Sequence, residues 1–309
     1  MKLKNTLALS LAAVMAAGLT ACGSSADTAS AASPAADSTA AESTEAAADT
    51  TAAPDGDGDP TTLTVAMECA YAPYNWTQND DANGAVEIRG SSDYAYGYDV
   101  MMAKKIGEAL GQKVQIVKLD WDSLIPAVMS GDVDCVIAGQ SITAERAAQV
   151  DFSDPYYYAS IVTLTKKDSA YANAASVADL AGATATSQLG TIWYDTCLPQ
   201  IENANILPAQ ETAPAMLVAL NSGACDIVVT DRPTGQAALV AYPDFTLLDF
   251  GGGDGDFQVS DEDINIGISM KKGNTALKDA INEVLATMTT DDYNALMDEA
   301  ISVQPLSDN

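Results

Sequence analysis

The run Ile137-Ala138-Gly139-Gln140-Ser141-Ile142-Thr143-Ala144-Glu145-Arg146 groups the side chains best suited to holding a small anion. An apolar stretch that reads as a buried strand ends at Gly139, and Thr143, Glu145 and Arg146 then open a helix. Backbone N–H groups left unpaired at a helix start, with a hydroxyl nearby, attract negative charge. A planar guanidinium adds a two-pronged bond to a carboxylate. The pattern therefore describes a carboxylate receptor. It equally describes a plain helix cap with a surface arginine, and the local sequence does not choose between them.

The composition limits the alternatives. The 309 residues carry a formal charge of −29 and no histidine. A polyanion of this size repels nucleic acid and anionic lipid. Without histidine, Ser-His-Asp and Cys-His nucleophile systems are excluded. No metal or other cofactor is expected. The sequence has no CxxC pair for zinc, and the acidic glycine runs Asp55-Gly56-Asp57-Gly58-Asp59 and Gly251 to Asp256 lack calcium-loop register. Cys69, Cys135, Cys197 and Cys225 allow three disulfide pairings, among which the spacing does not decide.

At the N-terminus, Met1-Lys2-Leu3-Lys4 precedes an apolar run from Leu7 to Ala21, a secretory signal over residues 1–21. Leu19-Thr20-Ala21-Cys22 resembles the bacterial lipobox, which implies acylation of Cys22, with palmitate among the chains. Such lipidation anchors a protein at the extracytoplasmic face of the cell membrane without a transmembrane helix. Residues 22–60 are then almost entirely Ala, Ser, Thr, Asp, Glu, Gly and Pro, the composition of a disordered acidic tether.

From Thr61 onward the elements that must position the anion site can be followed. Leu63 to Met67 reads as a strand, Tyr98 to Leu110 as a helix stopped by Gly111, Val114 to Val117 as a strand, Leu124 to Ser130 as a helix, and Cys135 to Ala138 as a strand. The order recurs: Ala183 to Thr186 is a strand, a helix follows Gly190, Ala215 to Leu220 is helical, and Asp226 to Thr230 is a buried strand. Gly131-Asp132-Val133-Asp134-Cys135-Val136-Ile137 is echoed by Gly223-Ala224-Cys225-Asp226-Ile227-Val228-Val229. Strands alternating with helices imply an α/β fold, and the doubling implies two lobes with a cleft between them. The expected division is lobe 1 over 61–160, lobe 2 over 161–263, and a C-terminal return over 264–309 that packs on lobe 1. The connections between lobes are expected near Tyr158 to Thr165 and Val259 to Ile266.

Several segments together carry a family resemblance. Asp134 to Arg146, then Val150-Asp151-Phe152-Ser153-Asp154-Pro155-Tyr156-Tyr157, resemble the signature of the family-3 extracellular solute-binding proteins, the polar amino-acid-binding proteins of ABC importers. Tyr71-Ala72-Pro73-Tyr74, Gly97-Tyr98-Asp99-Val100, Trp121 to Ala127 and Gln188-Leu189-Gly190-Thr191 fall in the family's order. The similarity spans about Thr61 to Ala300 and implies a two-lobed, type II periplasmic-binding-protein fold. It further implies a monomer that binds a free amino acid and delivers it to an ABC permease, with no catalytic residue.

The same resemblance assigns roles. Arg146 and Ser141 would hold the substrate's α-carboxylate with the amide of Ile192, which follows Gly190-Thr191. Asp231 and a carbonyl near Gly139 would take the α-ammonium. Tyr71 and Trp121 would wall the substrate side chain. Glu68 favours a cationic side chain, whereas Gln188 suits a neutral polar one. Between Tyr74 and Gly97 the chain is longer than the family pattern, as a loop that borders the cleft or decorates the surface. Two other functions fit the same fold: a cyclohexadienyl or arogenate dehydratase using Glu68 as acid, and a ligand-sensing accessory protein.

Overall fold

The computed structural model describes residues 59–305; the signal segment, Cys22 and nearly all of the tether lie outside the described residues. Leu63 to Met67 lacks the polar alternation of a half-exposed strand, which suits a strand covered on both faces. Thr62–Met67 is accordingly buried from Leu63 onward. It runs parallel to Lys113–Lys118 on one side, Thr62 opposite Lys113 and Met67 opposite Lys118, and to Cys135–Val136 on the other. Ser269–Met270 and Asp151–Phe152 add antiparallel strands beyond Cys135–Val136, completing a five-stranded sheet. The helix Tyr98–Leu110 packs on this sheet and stops at Gly111, whose φ of 68° is the left-handed conformation that glycine adopts without strain.

The second sheet has the order Asn205–Ile206, Thr184–Thr186, Ile227–Asp231, Ile161–Lys166, Phe245–Leu248. The repeated sequence phrase takes the same form in both sheets. Helix Leu124–Ser130 ends at Gly131 before strand Cys135–Val136, and helix Ala213–Ser222 ends at Gly223 before strand Ile227–Asp231. Pairing on the first of these strands stops at Val136, short of Ala138, because the chain turns at Gly139 with φ 64°.

The chain passes between the sheets as a two-stranded antiparallel ribbon, Tyr157–Tyr158 against Asn265–Ile266. This connection is shorter than the sequence implies, since Ile161 to Thr165 is a buried core strand of the second sheet. Ser269–Met270 then returns to the first sheet. Helices Thr275–Leu285 and Thr290–Val303 both touch Tyr98–Leu110, and the latter also touches helix Arg232–Ala241.

The long stretch between Tyr74 and Gly97 is a folded sheet. Ala70–Tyr71, Asn75–Gln78, Tyr94–Tyr96 and Val86–Glu87 pair antiparallel in that order. Trp76 faces Tyr96 across this sheet with ring centroids 5.5 Å apart, and Ile88 bridges to Ile116 at the edge of the large sheet. Buried aromatic cross-strand pairs of this kind hold short strands together. The four cysteines in the described residues are free and buried, so none of the three pairings forms. No helix among the described residues is long and apolar enough to cross a membrane.

Candidate ligand-binding cleft

Thr143 caps helix Ala144–Gln149, its hydroxyl accepting from the N–H of Arg146 at 3.3 Å. Ser141 sits opposite Ile266 in an antiparallel bridge whose bonds run from Ile142 N–H to Asn265 O and from Gly267 N–H to Gln140 O. In such a non-hydrogen-bonded pair the backbone groups of the central residue point away from the partner strand. The carbonyl of Ser141 accepts from Arg146 Nη1 at 3.0 Å, while its N–H and hydroxyl have no partner among the described residues.

Arg146 is thus folded inward, away from the position of a surface arginine. Its Nη2 donates to Gly190 O at 2.9 Å, and the guanidinium stands 5.4 Å from the ring centroid of Trp121, within cation–π reach. Burial lowers its pKa from the usual value, but no carboxylate among the described residues is paired with it. Glu145, Asp195 and Asp263 act on it electrostatically without pairing directly, so the guanidinium keeps donors for an anion.

The opposite wall begins at Gly190, with φ 65°, where a Cβ would come within 3.1 Å of the Trp121 indole nitrogen. Thr191 Oγ1 donates to Gln188 O, and the carbonyl of Thr191 accepts from the N–H groups of Tyr194 and Asp195. This opens the helical turn Trp193–Cys197 and leaves the N–H of Ile192 among the first donors, which a helix cannot pair internally. Tyr71, Trp121, Gly139, Ser141, Arg146, Gln188, Thr191 and Ile192 together line a narrow cavity with room for about one water molecule. Trp193 also lines it, and sequence reasoning missed this residue. The signal available was its position directly after Gly190-Thr191-Ile192.

The two remaining expected residues lie beside this cavity. Asp231 is fully buried and caps helix Arg232–Ala241, Oδ1 accepting from Thr234 N–H at 2.9 Å. Its Oδ2 accepts from the hydroxyl of Tyr71, so the tyrosine stands between the aspartate and the cavity. Burial raises the Asp231 pKa, and the bonds from Thr234 and Tyr71 oppose that rise. Gly139 approaches the Tyr71 ring so closely that a Cβ would lie 2.8 Å from Cε1. Its carbonyl accepts no hydrogen bond among the described residues.

Glu68 meets Gln188 across the cleft, Gln188 Nε2 donating to its two carboxylate oxygens at 3.2 and 3.0 Å. Burial pushes the Glu68 pKa up to about 7, against the lowering bond from Gln188. Beyond Glu68 opens a space of about 310 Å³ lined also by Asp120, Asp122 and Glu211, with no cationic side chain on its walls. This acidic chamber was not read from the sequence, since its carboxylates come from three separate segments.

The chain is similar in sequence and fold to known proteins. The profile of the bacterial extracellular solute-binding proteins, family 3, covers residues 63–302. The chain belongs to this family. Among curated relatives, the arginine-binding extracellular protein ArtP of Bacillus subtilis is 35% identical over 130 residues, 42% of this chain and 45% of that protein. A probable histidine-binding protein of Campylobacter jejuni is 30% identical over 186 residues, 60% of this chain and 66% of its own length. The chain therefore matches less than half of ArtP and just under two thirds of the Campylobacter protein. Among solved structures, the ancestral amino-acid-binding protein AncCDT-1, described as a precursor of cyclohexadienyl dehydratase, superimposes with a TM-score of 0.63 and 30% identity. That match covers 78% of this chain and 96% of AncCDT-1. The two-lobed α/β fold of the family-3 solute-binding proteins is the fold of this chain.

Proposed function

We propose that this protein captures a free amino acid with a cationic side chain and delivers it to an ABC permease. The observation that carries this reading is Arg146, a cation without a paired carboxylate, lining the same cavity as Ser141 and Ile192 with their unpaired N–H groups. Three donors of that kind suit a carboxylate. The α-ammonium would go to Asp231 and the Gly139 carbonyl, displacing the Tyr71 hydroxyl from Oδ2. Tyr71, Trp121 and Trp193 would flank the side chain, whose distal cation would reach Glu68 and Gln188 at the mouth of the acidic chamber. The net charge of −29 favours approach of a cationic solute. The lobes would close about the ribbon Tyr157–Tyr158 and Asn265–Ile266. Acylated Cys22 and the tether would keep the monomer near its permease, raising its local concentration there.

A second reading has one observation in its favour. Glu68, with a pKa near 7, is half protonated at neutrality, as a general acid for a dehydratase would be. Prephenate, however, brings two carboxylates to a site whose walls offer one cation, Arg146, beside four carboxylates at and beyond Glu68. Binding without chemistry is favoured. Incubation with prephenate or arogenate should yield no aromatic product.

Calorimetric titration of the purified protein with the twenty amino acids tests the main reading. Arginine or lysine should bind, and Arg146→Ala should abolish that binding with an unchanged circular dichroism spectrum. No binding of any amino acid at millimolar concentration would overturn the proposal.

A further inference from the structure

Asp99 has no exposed surface, yet it touches neither cavity. It lies in the first turn of helix Tyr98–Leu110, a start fixed by bonds from Tyr98 N–H to Pro73 O and from Asp99 N–H to Tyr74 O. Its Oδ2 accepts from Asn75 Nδ2 at 2.8 Å and its Oδ1 from the Tyr156 hydroxyl at 2.6 Å. Each partner passes the order on to a backbone group. Asn75 Oδ1 accepts from Cys69 N–H at 2.7 Å, and the Tyr156 oxygen accepts from Gly139 N–H at 3.0 Å.

Cys69 and Gly139 are the two left-handed corners of the cleft in this lobe, with φ of 54° and 64°. Cys69 lies between Glu68 and Tyr71, and Gly139 leads into Ser141 and Arg146. The logic of the network is one of polarity. An amide side chain has one accepting end and one donating end, and a tyrosine hydroxyl has a single proton. A carboxylate only accepts. Asp99 therefore forces Asn75 to turn its oxygen, and Tyr156 its lone pairs, toward the two backbone N–H groups.

We propose that Asp99 is a positioning residue of the binding site: through Asn75 it sets the corner that carries Glu68 and Tyr71, and through Tyr156 it sets the corner that leads to Ser141 and Arg146. Burial raises its pKa to about 6, against lowering bonds from Tyr156 and Asn75, so the accepting form predominates at neutral pH. This inference rests on the reading of the cleft as an amino-acid site.

Polarity also supplies the test. Asp99→Asn presents one acceptor and one donor, so one of its two links must fail. Adding Asn75→Asp restores every link: Asp at 75 accepts from Cys69 N–H and from the new amide, whose oxygen accepts from Tyr156. The affinity of the full folded chain is measured by calorimetry with L-arginine, or with the amino acid that the twenty-member screen returns. Asp99→Asn should weaken binding by about ten- to a hundredfold, and the double variant should return to within about threefold of the parent. Tyr156→Phe, which retains the ring, should weaken binding about tenfold and carries the test where Asp99→Asn does not fold. Unchanged affinity in Asp99→Asn or Tyr156→Phe, with only the melting temperature lowered, would overturn the proposal, as would a folded double variant that stays weak. Failure of the parent to bind any amino acid would instead refute the reading of the cleft.

Discussion

Glu68 should make the affinity for a cationic ligand strongly dependent on pH. Its carboxyl is raised by burial from the ordinary 4.5 to about 7; it bonds Gln188, with smaller opposing effects from the charges of Asp120 and Lys118. Only the ionised form pairs with a cation. If the ligand binds that form alone, the ionised fraction falls from about nine tenths at pH 8 to about one hundredth at pH 5, a loss of roughly a hundredfold in affinity. Arginine and lysine keep their charges over this range. Asp231, also raised by burial, acts in the same direction, so the Glu68 contribution is the part removed by Glu68→Gln. The same shift has a consequence for the unliganded protein with the opposite sign. A raised carboxyl binds its proton more tightly in the folded state, so its stability contribution is full below pH 4.5 and is lost as pH rises through about 7. The gap between 4.5 and about 7 corresponds to about 3 kcal/mol, and Glu68→Gln should be more stable than the parent by up to that amount at pH 8. Calorimetric titrations at pH 5, 6, 7 and 8, paired with urea melts, read both effects. A dissociation constant for L-arginine that does not move between pH 5 and 8, or that moves equally in Glu68→Gln, would refute the reasoning. Tight binding of a neutral amino acid with no pH slope would assign the subsite to Gln188 instead.

Arg146→Lys should weaken binding by roughly thirty- to a hundredfold in calorimetry, since an ammonium cannot hold the Ser141 carbonyl and a carboxylate in the same fork. Gly139→Ala forces φ 64° on a residue with a Cβ that would meet the Tyr71 ring at 2.8 Å, and should lower stability by about 1–3 kcal/mol in denaturant melts while also weakening binding. Tyr71→Phe keeps the aromatic wall but leaves Asp231 Oδ2 with only the 3.4 Å bond from the Thr230 hydroxyl, and should lower stability by about 1 kcal/mol while tightening ligand binding a few-fold; a tenfold weaker ligand would show that the hydroxyl assists the ammonium. A soluble form beginning at residue 59 should show no fast-reacting thiol toward Ellman's reagent when native and four in guanidinium, and fewer than four on unfolding would reveal a disulfide.

What the sequence discloses depends on how local the cause is. Thr62–Met67 and Tyr98–Leu110 are long enough for burial and helical period to leave a pattern in a single stretch. The sheet between Tyr74 and Gly97 is not: its strands are two to four residues long, too short for an alternation, and the Trp76–Tyr96 pair that fixes their register spans twenty positions. The anion side of the cleft is legible for the same reason as the helices. Thr143, Arg146 and Ser141 meet within one turn and its approach, so spacing already implies proximity.

Spacing implies nothing for Asp99. It reads as an ordinary acid in a first helical turn, and its partners lie 24 residues upstream and 57 downstream. Tyr71 and Asp231, 160 positions apart, are likewise joined only by the fold. Groups that touch a ligand can be recognised by chemical type, because the ligand's charge dictates them. Groups that orient those residues need only the right polarity at one end, which many side chains provide, so no residue type marks them in advance. A binding site of this kind is therefore read from the sequence at its surface and from the structure in the layer behind it.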